Sequence, residues 1–252
     1  MNDPSQRHDR TAGLVIIGNE ILSGKFADEN TPFFIEELRA LGVRLRHVAI
    51  VEDELDAIVR DVSYARQHFD HVFTTGGIGP THDDVTMKAI ATTFGVTVEP
   101  HPELVAALAH LPAEKQRALA PLTQVPAGAT LLWDTQSTWP LVTMHNVWIF
   151  PGVPRFIQRR FPALRARLKC MPFVSGALYL SVVESEIVAA LNSVVQAFPD
   201  VEFGSYPRFG DEDHRTRLTI DGRDRATVAD AFLALKRALP IDAIVRETPP
   251  AD

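Results

Sequence analysis

Asp83 and Asp84 stand side by side behind three glycines in the stretch TTGGIGPTHDDVT, residues 74–86. Gly76, Gly77 and Gly79 permit backbone angles closed to other residues and let peptide groups approach a ligand closely. A helix following such a loop offers free N–H groups and partial positive charge, which suit phosphate. Thr81, with Asp84 three positions on, has the spacing of a capping box for that helix. Two carboxylates would repel a bare phosphate. They become useful if a divalent ion bridges carboxylate and phosphate, as Mg²⁺ does with one or two carboxylates plus substrate oxygens. Asp83 reads equally well as a first-turn carboxylate that only favours the helix dipole. Glu20, in GNEILSGK (residues 18–25), follows a short apolar run and is a further candidate acid. The motif is neither a Walker loop nor the G-x-G-x-x-G dinucleotide fingerprint.

The elements that must carry these loops are legible from hydrophobic pattern. Residues 14–17 are wholly apolar, as in a strand buried on both faces. A helix is predicted from Thr31-Pro32, with Thr31 as cap and Gly42 as its stop. Strands follow at 48–51 and 72–75, separated by a helix carrying Leu55, Ile58, Val59 and Val62. A helix after the glycine motif carries Met87, Ile90, Ala91 and Phe94 and stops at Gly95. This β-α-β-α-β-α order implies right-handed crossovers, and ligands in such sheets bind at the carboxyl ends of the strands. Helices near 102–110 and 114–120 precede strands at 129–133, 141–144 and 147–150, with a tight turn at His145-Asn146. A helix after Pro154 places Ile157, Phe161, Leu164 and Leu168 on one stripe. The fold class is α/β, a three-layer α-β-α arrangement around a mostly parallel sheet. Residues 11–170 form this domain. Residues 173–248 read as a smaller α+β domain with the split β-α-β order of ferredoxin-like folds. The final ETPPAD reads as a loose tail, and the charged run RFGDEDHR as an exposed hairpin loop.

The 252 residues are 46% hydrophobic and 23% charged, with a formal net charge of -7. That balance argues against a nucleic-acid partner. No apolar run approaches the roughly 18 residues needed to span a bilayer, so no membrane role is expected. The lone Cys170 fits a reducing cytoplasm and reads as a small buried hydrophobe. The polar start shows no signal core, and cytoplasmic localisation is expected. Trp133, Trp139 and Trp148, with Phe150, read as core or as a subunit interface, and a homo-oligomer, most simply a dimer, is expected.

The glycine stretch, GNEILSGKFADEN, VEDELDAI and NVWIFPGVPR occur in one order, and together they resemble the MoaB/Mog-like molybdopterin-binding fold. More narrowly, they look like the version found in the competence/damage-inducible protein A (CinA) family and in the N-terminal domain of eukaryotic FAD synthase. The resemblance covers residues 14–168 closely and the region after 172 more weakly. It implies a pterin or nucleotide pocket lined by Thr75, Gly76, Gly77, Gly79, Pro80, Thr81, Asp83, Asp84 and Thr86. The first loop would add Gly18, Asn19, Glu20, Ser23 and Gly24. Asp53 matches an acidic position near the pocket, Asn30 an asparagine that opens the first helix, and Pro151-Gly152 a closing loop. STWPLVTMHN departs from the CinA pattern and looks more like the FAD synthase version. The adenylyltransferase that makes FAD and the nicotinamide-nucleotide deamidase of full-length CinA lie outside the resemblance, and neither activity is expected.

The resemblance implies a divalent-metal-dependent (Mg²⁺ or similar) pyrophosphatase acting on ADP-ribose or FAD, with Asp83 and Asp84 on the metal and Glu20 beside them. Its alternative is a molybdopterin-binding protein or adenylyltransferase of molybdenum cofactor biosynthesis. A third reading is a non-catalytic ligand-binding module, since fold does not fix function.

Overall fold

The computed structural model describes residues 10–134, 138–210 and 213–251. The polar start at 1–9 and positions 211–212 of the charged loop lie outside these. The chain divides into two compact units, Met1–Cys170 and Met171–Asp252.

In the first unit, β1 (Arg10–Ile17) leads into a short helix α1 (Asn19–Leu22), then α2 (Asn30–Ala40) and β2 (Val43–Val51). The helix α3 (Leu55–His68), β3 (His71–Thr75) and α4 (Thr86–Phe94) follow. A short antiparallel pair, β4 (Val98–Pro100) and β5 (Gln124–Pro126), encloses α5 (Pro102–Leu108) and α6 (Ala113–Leu119). The chain returns through β6 (Thr130–Leu132), β7 (Leu141–Met144) and β8 (Val147–Phe150), and ends in α7 (Pro154–Arg160) and α8 (Arg165–Leu168). The six-stranded sheet has the order β2-β1-β3-β8-β7-β6. Its first four strands are parallel, and β7 and β6 join antiparallel at one side.

The apolar strands are explained by what they meet on each face. Val15 and Ile17 of β1 pack with Ile58, Val62 and Ile90 of α3 and α4. Leu14 and Ile16 pack on the opposite face with Phe34 and Leu38 of α2 and with Ile157, Phe161, Leu164 and Leu168. Side chains alternate along a strand, so a strand covered on both sides must be apolar throughout. Phe34 anchors the second layer, with its ring centroid 5.1 Å from Phe73, 5.6 Å from Phe150 and 5.7 Å from Phe161. Trp148 and Phe150 are buried in this same layer, and Trp139 is half-buried against the other, so these aromatics are taken up within the unit. Cys170 is buried, and its thiol donates to the Gly42 carbonyl at 2.8 Å.

Several local details differ from the sequence pattern. Strands β1 and β2 begin earlier than their apolar runs, because a parallel neighbour pairs polar residues as readily as apolar ones. Helix α2 is capped by Asp28 rather than Thr31: Asp28 Oδ1 accepts from the Asn30 N–H at 2.9 Å and the Thr31 N–H at 3.0 Å. Helix α4 starts only at Thr86, so the Thr81–Asp84 pair closes a turn within the loop instead of capping the helix. The tight turn stands, with His145 at φ 52° and the Asn146 amide donating to the Arg66 and Phe69 carbonyls.

The second unit runs β9 (Val174–Leu180), α9 (Val188–Ala197), β10 (Glu202–Pro207), β11 (Thr216–Gly222), α10 (Arg225–Ala238) and β12 (Ile244–Ala251). Its sheet has the order β10-β11-β9-β12 and is antiparallel throughout, the split β-α-β arrangement. The tail is ordered, since β12 pairs along β9 as far as Ala251. Pro249 and Pro250 are tolerated because β12 is an edge strand, where missing donors cost no ladder bonds. The charged run is not wholly exposed: His214 is buried, and its Nδ1 lies 2.5 Å from Asp213 Oδ1.

His71, at the start of β3, carries a pH dependence. Burial, reinforced by the Arg10 charge against an opposing pull from Asp70, lowers its pKa from 6.5 to about 4. The unfolded state therefore binds the extra proton between these values. Stability is unaffected above pH 6.5 and falls as pH drops towards 4. Replacing His71 by Phe is expected to flatten that slope in pH-dependent denaturation curves. An unchanged slope would assign the acid sensitivity elsewhere.

Candidate functional site

The carboxyl ends of β1, β3 and β8 each open into a loop, and backbone bonds pin the loops together. The Gly18 N–H donates to Val51 O at 3.1 Å, and the Gly76 N–H to Phe150 O at 3.2 Å. Asp53 Oδ2 accepts from the Asn19 N–H at 2.7 Å, which fixes the start of α1. The Glu20 carboxylate folds back over Gly18, where an added Cβ would lie 2.8 Å from Oε1.

The glycine loop is built by its own contacts with α4. Gly76 has φ 94° and lies so near β1 that a Cβ would sit 2.0 Å from the Ile17 carbonyl oxygen. Its own carbonyl accepts from Thr86 Oγ1 at 2.9 Å, and the Gly77 carbonyl from the Thr86 N–H at 3.0 Å. Thr86 is fully buried, and its polar groups are spent in holding the loop. A Cβ at Gly77 would meet Thr86 Oγ1 at 2.3 Å, so that glycine serves loop closure on α4.

The two aspartates separate. Asp84 Oδ2 accepts from the Thr81 N–H at 2.9 Å and also from the Thr81 hydroxyl. The same oxygen lies 2.6 Å from where a Gly79 Cβ would be, so only a glycine admits this carboxylate. Asp83 is exposed, and its hydrogen bond to Thr81 holds its carboxyl below the usual range.

A cavity of about 890 Å³ opens over this loop. Among the sequence-predicted residues, Glu20, Asn30, Gly76, Gly77, Gly79, Pro80, Asp84, Pro151 and Gly152 line it. Gly18, Asn19, Ser23, Gly24, Asp53, Thr75, Thr81, Asp83 and Thr86 are not among its lining residues. Of these, Thr75 and Thr86 are buried, and Asp53 and Thr81 act through neighbours. Asn30 is only 8% exposed. Its Nδ2 donates to Gly152 O at 2.9 Å, which orients the amide, and Oδ1 is a buried acceptor with no protein partner.

Sequence reasoning missed the rest of the wall. Ile78, Met87, Leu122, Trp139 and Phe156 make much of it apolar, and Phe26 stands at its edge, 66% exposed. Among the described residues, the charged ones lining the cavity are Glu20, Glu29, Asp84 and the cation Arg160. Burial lowers the Arg160 pKa, while the charge of Asp134 opposes that shift. No local signal marks Arg160 or Leu122, because their place in the wall depends on packing between distant segments. Trp139, in a Trp-Pro pair outside the helical pattern, carried a usable signal.

Among the described residues, no three His, Cys, Asp or Glu side chains stand together as a metal cluster. The carboxylates Asp84 and Glu20 and the carbonyl of Asn30 nevertheless border one cavity. Such oxygen donors suit a Mg²⁺-like ion that takes its remaining ligands from phosphate and water. Among the described residues no helix is long and apolar enough to cross a membrane.

Comparison with known proteins gives the family. Residues 13–169 match the family described as "Probable molybdopterin binding domain", and residues 172–248 match "FAD synthase, middle domain". A "Probable FAD synthase" of Caenorhabditis briggsae is 32% identical over 94% of this chain but only 50% of its own length. The chain thus spans about half of that relative. A protein of Archaeoglobus fulgidus is 31% identical over 90% of this chain and 96% of its own length. The crystal structure of the protein CinA with unknown function from Thermoplasma acidophilum matches with TM-score 0.56 and 25% identity, over 64% of this chain and 99% of that one. The chain belongs to the molybdopterin-binding-domain family in its CinA-like form, joined to a domain of the FAD synthase middle type.

Proposed function

We propose that the cavity binds a phosphorylated nucleotide together with a divalent ion, and that the chain hydrolyses the diphosphate bond of a substrate such as ADP-ribose or FAD. The observation that carries this reading is the mixed lining of the cavity. Gly76, Gly77, Gly79 and Asp84 line it together with the apolar Trp139, Phe156, Met87 and Leu122. A ligand with a diphosphate and a flat ring matches both. The glycine loop offers peptide groups rather than side chains to the phosphates. Asp84 and Glu20 supply carboxylates for the ion, and the Asn30 carbonyl accepts from a ligand hydroxyl or faces the ion. A divalent ion in that position neutralises diphosphate charge and acidifies a water. Similarity to FAD synthases over 94% of the chain favours this substrate class. The family description favours a second reading, in which the same cavity holds a pterin phosphate without turning it over.

A panel of ADP-ribose, FAD, NAD and a pterin phosphate, each with Mg²⁺, Mn²⁺ and Co²⁺, tests the proposal. Ion-dependent release of AMP from ADP-ribose or FAD is expected. No turnover with any ion, alongside tight pterin phosphate binding, would move the assignment to the second reading.

A further inference from the structure

We propose that Arg160 selects the ring of the ligand, favouring rings with paired oxo or ring-nitrogen acceptors, as in flavins and pterins, over adenine. The inference rests on the cavity being the ligand site, as proposed above, but not on hydrolysis. Among the described residues, Arg160 is the cation lining the cavity. Its Nε donates to the Trp139 carbonyl and its NH1 to the Phe156 carbonyl, each at 3.4 Å. The guanidinium carbon lies 5.5 Å from the centroid of the Phe156 ring. Trp139 and Phe156 also line the cavity, so the guanidinium is fixed to two residues of the same wall, with Arg155 also over the Phe156 ring at 4.9 Å. Its two long bonds leave donors of the five-donor fork for a ligand.

A guanidinium carries donors only. It pairs two-pronged with adjacent acceptors, as arginine does with guanine O6 and N7. Adenine offers an acceptor beside an amino donor, an edge suited to Asn or Gln instead. Flavin and pterin edges carry carbonyl oxygens and ring nitrogens. Among the described residues the carboxylates Glu20, Glu29 and Asp84 are the other charged lining groups, and an ionised carboxylate accepts but does not donate.

Flavin mononucleotide and adenosine monophosphate provide the test, since both carry one phosphate and they differ in the ring. Calorimetry with the same divalent ion is run on the wild-type chain, Arg160→Gln and Arg160→Lys. The wild type is expected to bind the flavin more tightly. Arg160→Gln is expected to weaken flavin binding about tenfold or more and to leave the adenosine ligand within about twofold. Arg160→Lys keeps the stem and charge but loses the planar fork, so it should move in the same direction, and it decides the matter if the glutamine variant does not fold. Three results overturn the proposal: no ring preference in the wild type, no binding of either ligand, or equal loss of both ligands in the variants. Absence of pyrophosphatase activity with the ring pattern intact would instead count only against the hydrolytic reading.

Discussion

Asp84→Asn is expected to lower the proposed ion-dependent hydrolysis of ADP-ribose or FAD on the order of 100-fold or more, with little change in melting temperature. The residue does two jobs that this substitution separates. One oxygen ties the loop together through the Thr81 N–H and hydroxyl. An asparagine oxygen accepts both bonds, so the turn survives. What is lost is a carboxylate charge on the cavity wall. Charge stabilisation by a bound ion is worth several kcal/mol in the transition state, and each 1.4 kcal/mol is tenfold in rate. Asp84→Ala would remove both roles and confuse them. Asp83→Asn serves as the control, because Asp83 is exposed and not among the cavity-lining residues. Its expected effect is small. A fully active, folded Asp84→Asn enzyme would take Asp84 out of the chemistry, and an inactive Asp83→Asn would reverse the assignment of the pair.

The second large effect is on folding. Gly76→Ala is expected to destabilise the first unit by several kcal/mol, on the order of 3 or more, and to fail to yield a native loop. The methyl would lie 2.0 Å from the Ile17 carbonyl oxygen, and that oxygen belongs to the backbone of a buried residue of β1. No side chain rotation relieves such a contact. The conformation itself, at φ 94°, costs a further 1–3 kcal/mol or so for a residue with a Cβ. Overpacking in a dense interior adds a similar amount. Gly95→Ala is the comparison: it shares a positive φ of 68°, but nothing lies within 4 Å of the added carbon. It should cost only about 1 kcal/mol. Equal melting temperatures for the two variants would show that the contact with Ile17 is relieved by movement of the loop.

How much of this was legible beforehand follows from how locally each feature is determined. The parallel sheet was readable because strands covered on both faces must be apolar at every position. The 14–17 run, and Val147 to Phe150, could hardly be otherwise. The helix stripes were readable for the same reason, since Ile157, Phe161, Leu164 and Leu168 must share a face to be buried. The glycine motif announced a close backbone approach, and the approach exists. Sequence did not say to what: Gly76 is pressed against the chain's own β1, and Gly77 against Thr86.

Only the tertiary structure decided which residues face the cavity. Asp83 and Asp84 are chemically identical neighbours, and local pattern favoured Asp84 without saying where either would lie. The Thr81 turn and the close approach at Gly79 put Asp84 on the wall and leave Asp83 in solvent. Leu122, Trp139, Phe156 and Arg160 lie between 46 and 84 positions beyond Gly76 and reach it only through folding, and no periodicity within one helix or strand reports a contact with another. By itself the sequence determined the layers, the loops and the family, because burial periodicity and backbone permissiveness are written in neighbouring residues. The wall of the site was decided by how α4, α7 and the Trp139 segment pack over the ends of the strands, a property of long-range contacts that neighbouring residues do not encode.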